Sequence, residues 1–201
     1  MKRMVSIALV VIVVLQIFTI QTLATDEPLT LNARETAQFY DLAVQQVNSE
    51  FGVPSQLEIR NAGIEVYESG LVRQSIIVQQ KAKTAGTISG NVIDYWYRLF
   101  DKSKPICRVM IFAEFDFDGS HVEVVRDGYD FTYYIYSDYK DDTSVRERSV
   151  KFTDGGGALN PYSRVDTEYI VDFLSLSDTE TISISCDKDG NLTRYGQDES
   201  I

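Results

Sequence analysis

Ile106-Cys107-Arg108-Val109-Met110-Ile111-Phe112-Ala113-Glu114-Phe115-Asp116-Phe117-Asp118 is the stretch that decides the fold. Cys107, Val109, Ile111, Ala113, Phe115 and Phe117 fall on one face, and Glu114, Asp116 and Asp118 on the other. A period of two is strand geometry, because successive side chains point to opposite sides of the backbone. Asp118-Gly119 then turns the chain into a strand over 121–126, and Asp127-Gly128 turns it again into 129–140. Turns this short join antiparallel neighbours, since parallel pairing needs a long crossover.

Working outward, the same alternation recurs. Leu57-Glu58-Ile59 and Ile64-Glu65-Val66 alternate with their parity flipped across Asn61-Ala62-Gly63, which predicts a bulge or tight turn there. Residues 71–80 set Val72, Ile76 and Val78 against Arg73 and Gln79. The Lys/Thr/Gly/Ser stretch 81–90 reads as a loop. In 92–100, Ile93, Tyr95, Tyr97 and Leu99 take one face and Asp94, Trp96 and Arg98 the other. Downstream, 143–154, 164–174, 181–187 and 192–195 are further strands, with Gly155-Gly156-Gly157 as a flexible connection and 196–201 as a polar tail.

The start of the chain follows a different period. Residues 29–51 read as a helix, with Asn32 and Glu35 at capping-box spacing. Ala33, Ala37, Tyr40, Val44, Val47 and Phe51 recur at steps of three or four, and Gly52 and Pro54 terminate the run. The expected fold is therefore mainly β: an N-terminal amphipathic helix, then about nine or ten antiparallel strands folded into a β-sandwich or flattened barrel. Residues 25–195 form one domain in this reading. The alternative is a small helix-containing unit joined to a sandwich by a linker at 86–90.

The first 24 residues stand apart. Met1-Lys2-Arg3 is basic, residues 5–20 are mostly Val, Ile, Leu and Ala, and Thr22-Leu23-Ala24 spaces small residues as a signal peptidase site does. This is the pattern of a secretory signal peptide, so the chain is expected outside the cell and without stable membrane insertion after cleavage. The competing reading is an uncleaved segment that tethers it to the membrane. The apolar stretch carries Ser6, Gln16 and Thr19, whereas a spanning helix wants about 20 apolar residues.

Charge and rare residues limit the chemistry. Nineteen Lys+Arg against 30 Asp+Glu give a net charge of −11, and losing Lys2 and Arg3 with the leader takes it to −13. Such a surface opposes nucleic-acid binding, which needs cations to neutralise phosphates. A single His and two Cys supply too few ligands for a zinc site, and no cofactor motif is present. Cys107 and Cys186 both sit on apolar strand faces, and an oxidising compartment favours a Cys107–Cys186 disulfide. That bridge would stabilise the fold by about 4–5 kcal/mol in the chain-entropy model. Two buried thiols are the alternative.

Catalytic and metal patterns are sparse. Asp116-Phe117-Asp118-Gly119 and Asp187-Lys188-Asp189-Gly190-Asn191 contain pieces of a calcium loop but lack its full spacing, and hairpin turns explain both. Glu114 and Asp116, two apart on one strand face, have the spacing of paired carboxylates in glycoside hydrolysis. Any Ser-His-Asp arrangement must use His121, and no Gly-x-Ser-x-Gly elbow accompanies it. The aromatics are the stronger signal. Trp96 falls on the less apolar face of its strand, and Tyr134 and Tyr136 share a face with Asp130, Thr132 and Asp138. Trp96, Tyr134 and Tyr136 are therefore the candidate ligand platform, a stacking surface for a glycan or a peptide.

Thr181-Ile182-Ser183-Ile184-Ser185-Cys186-Asp187-Lys188-Asp189-Gly190-Asn191-Leu192, together with Trp96-Tyr97-Arg98-Leu99 followed by Phe115-Asp116-Phe117-Asp118-Gly119, resembles small exported β-rich proteins of Gram-positive bacteria. The resemblance implies export and a β fold, and carries over no site. The function expected from these residues is a secreted, non-enzymatic binding or interaction module for an extracellular glycan or peptide. The alternative is a secreted hydrolase that cuts cell-envelope or extracellular glycans through Glu114 and Asp116.

Overall fold

A computed structural model describes residues 30–52, 57–80, 86–154 and 162–194. The leader, the Gly155-Gly156-Gly157 connection and the 196–201 tail lie outside the described residues. Among the described residues one α-helix, α1 (Ala33–Phe51), precedes ten strands. These are β1 (Leu57–Val66), β2 (Leu71–Gln80), β3 (Gly86–Arg98), β4 (Cys107–Phe117), β5 (Val122–Val124), β6 (Asp130–Ile135), β7 (Thr143–Asp154), β8 (Tyr162–Phe173), β9 (Leu176–Asp187) and β10 (Leu192–Thr193). The first sheet runs β1-β2-β3-β4, with β5 and β6 both pairing to β4, and the second runs β10-β9-β8-β7. All pairings are antiparallel. The sheets face one another as a sandwich, and α1 lies on the outer face of the first sheet, so there are three layers.

That third layer explains the composition of β2 and β3. Phe39, Ala43 and Val47 of α1 pack on Val72, Ile76, Val78, Ile93, Tyr95 and Tyr97. The opposite face of the same strands, with Leu71, Ile77, Val92 and Trp96, packs against Val165, Tyr169, Ile182 and Ile184 of the second sheet. A strand covered on both faces need not alternate apolar with polar. The helix starts at Ala33, four residues later than expected, because the Asn32 side chain accepts from the amides of Arg34 and Glu35 while Glu35 reaches back to the Asn32 amide. Its buried stripe is Phe39, Ala43 and Val47, whereas Ala33 and Ala37 of the expected stripe are exposed. Asn61/Gly63 is a register shift, as the parity change predicted. Residues 86–90 are neither loop nor linker: they begin β3 and pair with Ala113 to Phe117.

Inside the sandwich lies a buried charged network. Arg73 on β2 reaches Glu65 at 2.5 Å, Glu180 on β9 at 2.8 Å and Asp94 on β3 at 3.6 Å. Asp94 is fully buried and accepts from the Ser75 hydroxyl at 2.5 Å and the Tyr169 hydroxyl at 3.0 Å. The Trp96 indole N–H donates to the same Tyr169 oxygen at 3.2 Å. Arg73 thus ties the two sheets together and compensates a carboxylate that could not be buried alone.

The expected disulfide is not formed: Cys107 and Cys186 are both buried, and their sulfurs are not joined. Strand register supplies the reason. Cys107 opposes Trp96, whose indole meets Tyr169, and Tyr169 opposes Glu180 on β9. Cys186 lies six residues farther along β9, about 20 Å at strand rise. A disulfide needs Cα atoms within about 7 Å. Among the described residues no helix is long and apolar enough to cross a membrane.

Candidate functional site

The three platform residues do not meet. Trp96 opposes Cys107 and Tyr134 opposes Arg108. Cys107 and Arg108 are consecutive, so Trp96 and Tyr134 project from opposite faces of the first sheet. Trp96 points into the inter-sheet core, stacked on Tyr67 at 5.1 Å and edge-on to Tyr169 at 6.4 Å, with no solvent exposure. The sequence placed it on an outer face because Asp94 and Arg98 flank it; Asp94 is instead buried beside it. Tyr134 and Tyr136 do come together on the helix-side face, edge to face at 5.1 Å.

Around those two tyrosines the last turn of α1 builds a cluster. Glu50 accepts from the Tyr136 hydroxyl on one carboxylate oxygen and from the Tyr95 hydroxyl, at 3.4 Å, on the other. Burial first, and then the Glu50 carboxylate, hold both phenols well above the ordinary tyrosine range, so they act as donors and not as bases. The Arg108 guanidinium lies over the Phe51 ring at 4.6 Å and the Tyr134 ring at 5.6 Å, with its Nη1 3.0 Å from Glu50. Phe51 and Tyr134 remain 43% and 46% exposed, which makes them available to a partner. Beside Phe51 opens a groove of about 270 Å³ between Val47 and Phe51 of the helix and Val78, Asn91, Ile93 and Met110 of the sheet. Sequence reasoning missed Glu50, Phe51, Arg108 and Met110 as site residues. The available signal was Phe51 directly before Gly52, a large apolar residue in the last turn where the helix leaves the sheet.

The remaining candidates resolve into structure. Asp118 accepts from the amides of Ser120 and His121, which holds its carboxyl below the usual range, and Asp187 accepts from the amides of Asp189 and Asn191. These are turn bonds, and among the described residues no group of three or more His, Cys, Asp and Glu is placed to hold a metal ion. Asp116 accepts from the Thr87 hydroxyl across the β3–β4 pair, and Glu114 lies against Gly128. His121 is exposed at the turn after β4. Burial pushes the Cys107 thiol up, which removes it as a nucleophile near neutral pH. Arg146 and Arg148 on β7 are paired with Asp172 and Glu168 on β8.

No protein family, no curated protein and no solved structure matches this chain.

Proposed function

We propose that the protein is a non-enzymatic binding module that works outside the cell and engages an extracellular ligand beside the C-terminal end of α1. The observation that carries this reading is the exposure of Phe51 and Tyr134 around Arg108, at the mouth of an open apolar groove. Aromatic side chains clamped on an arginine present a preorganised contact surface, which limits the ordering cost of association. Export rests on the basic start, the apolar stretch and the Thr22-Leu23-Ala24 spacing.

The test is binding of the purified protein to panels of glycans and peptides. A Phe51→Ala/Tyr134→Ala variant is expected to lose the interaction, while a Glu114→Gln/Asp116→Asn variant keeps it. Loss of a hydrolytic activity in the carboxylate variant, with the aromatic variant unaffected, overturns the proposal in favour of hydrolysis.

A further inference from the structure

We infer that the end of the sandwich formed by the β3–β4 and β8–β9 turns lies against a lipid bilayer and sets Phe100 and Leu174 into its interface. Among the described residues these are the two most exposed large apolar side chains, at 89% and 63%. Phe100 stands two residues past the end of β3, and Leu174 directly follows β8. Contacts bring the two turns to one end of the molecule. Lys104 of the β3–β4 turn pairs with Asp138 at 2.7 Å, the Tyr139 ring meets Phe173 at 6.0 Å, and the Leu174 amide donates to the Asp142 carbonyl at 2.7 Å. Residues 137–142 thus join one turn to the other. Leu174 has a φ of 55° and is the one non-glycine residue among those described with a left-handed backbone. Glycine takes that conformation without strain, and a leucine exposed there gains little from its own core. Strain kept at an exposed apolar tip marks a contact outside the fold.

Shape, charge and chain path identify the occupant. Phe100 and Leu174 project from separate turns, whereas a second copy or a folded partner needs a continuous face of about 800 Å² on each side. A fluid interface accepts separate protrusions. The cations nearby are matched, Lys102 with Glu35 at 3.2 Å and Lys104 with Asp138, in a chain of net charge −11. The apolar tips, not attraction to anionic headgroups, therefore supply the binding. The chain also reaches this end from an apolar stretch. Lys102, which pairs with Glu35 and lies 5.1 Å over the Phe39 ring, holds the first turns of α1 beside the β3–β4 turn. Nine residues, 21–29, separate residue 30 from the apolar run 5–20, a span of at most about 30 Å. A bilayer that holds the run is within reach of this end. Two side chains give weak, reversible binding, so the contact orients the protein on the membrane and does not anchor it.

The experiment adds the purified protein to phosphatidylcholine vesicles. Phe100→Cys and Leu174→Cys, each labelled with an environment-sensitive fluorophore, are compared with Ser120→Cys, exposed in the turn after β4 at the opposite end of the sheet. Cys107 and Cys186 are buried and stay unlabelled in the folded protein. Labels at 100 and 174 should shift to the blue and be quenched by spin-labelled lipid, and the label at 120 should do neither. Without labels, Phe100→Ser and Leu174→Gly should each lower the vesicle partition coefficient about tenfold, the scale of half-burying one large apolar side chain. Leu174→Gly relieves the left-handed strain, so weaker partition in a variant that resists urea better separates membrane contact from loss of fold. A label at 120 that responds like those at the tips, tip labels that stay silent, unchanged partition in both variants, or binding that requires phosphatidylglycerol overturns the inference.

Discussion

Arg73→Met should be among the most damaging single substitutions in the protein, and the structure sets its size. Arg73 is 4% exposed and faces three carboxylates, Glu65, Asp94 and Glu180. Removing the guanidinium leaves Asp94 in the inter-sheet core with only the Ser75 and Tyr169 hydroxyls. Breaking a buried pair from one side costs about 3–5 kcal/mol, because the remaining charge is uncompensated. Glu65 is 46% exposed and can rehydrate, so it adds at most about 1 kcal/mol. Asp94→Asn should cost less, since Asn can accept from one of the two hydroxyls with its Oδ1 and donate to the other with its Nδ2, while Arg73 keeps Glu65 and Glu180. The double variant Arg73→Met/Asp94→Asn should therefore be more stable than Arg73→Met alone. Urea unfolding followed by tryptophan fluorescence reads this directly, because Trp96 lies beside the network with the Arg73 guanidinium 5.9 Å from its ring centre. At about 2–4 °C per kcal/mol for a chain of this size, Arg73→Met should lower Tm by about 6–20 °C. A loss below about 1 kcal/mol, or an Asp94→Asn variant worse than Arg73→Met, refutes the claim that Arg73 compensates a buried charge.

Glu65→Gln should flatten the acid limb of stability. Burial raises the Glu65 carboxyl, but Arg73 and Arg194 outweigh it and hold it below its ordinary value. Its stabilisation is therefore present above the unfolded carboxyl pKa of about 4.3 and lost as pH falls through the folded one, so wild type should lose more Tm than the variant between about pH 5 and 3. Asn32→Ala removes the acceptor for two helix amides and should cost about 1 kcal/mol, measured by urea unfolding. Leu174, 63% exposed with φ of 55°, occupies a turn position that suits glycine, so Leu174→Gly should raise the free energy of unfolding by about 0.5–1 kcal/mol, read from urea unfolding. Under non-reducing denaturing conditions the purified protein should titrate two thiols, and none should react promptly in the folded state; absence of titratable thiol after denaturation contradicts the separation of Cys107 and Cys186 along the sheets.

What could be read without the structure was what a short window contains. β4 has its alternation, its Asp-Gly turn and its partner all within a few residues, and the structure has them as expected. The helix was legible by its cap but not by its phase. Phe39, Ala43 and Val47, at steps of four, compete with Ala33, Ala37, Tyr40 and Val44, at steps of three or four, and only the tyrosine-rich outer face of the first sheet selects between them. The disulfide was inferred from compartment, yet the distance between its sulfurs depends on how far β9 slides past β4, which is set by Trp96 meeting Tyr169, 73 residues away.

Trp96 and Arg108 carry the same lesson in opposite directions. Flanked by Asp94 and Arg98, Trp96 looks like an outward residue, and it is buried because Arg73, Ser75 and Tyr169 absorb the charge beside it. Arg108 stands between Cys107 and Val109 and looks like the unremarkable polar member of a strand, yet its neighbours across the fold, Phe51 and Tyr134, make it the centre of the exposed aromatic cluster. In both cases the alternation correctly assigns the side of the strand. What lies on that side depends on the third layer: α1 covers the outer face of β2 and β3 and stops at Phe51, beside Met110 on β4. The groove is the place where the helix ends before the sheet does. Its existence therefore follows from the Gly52 left-handed cap, which ends the helix there.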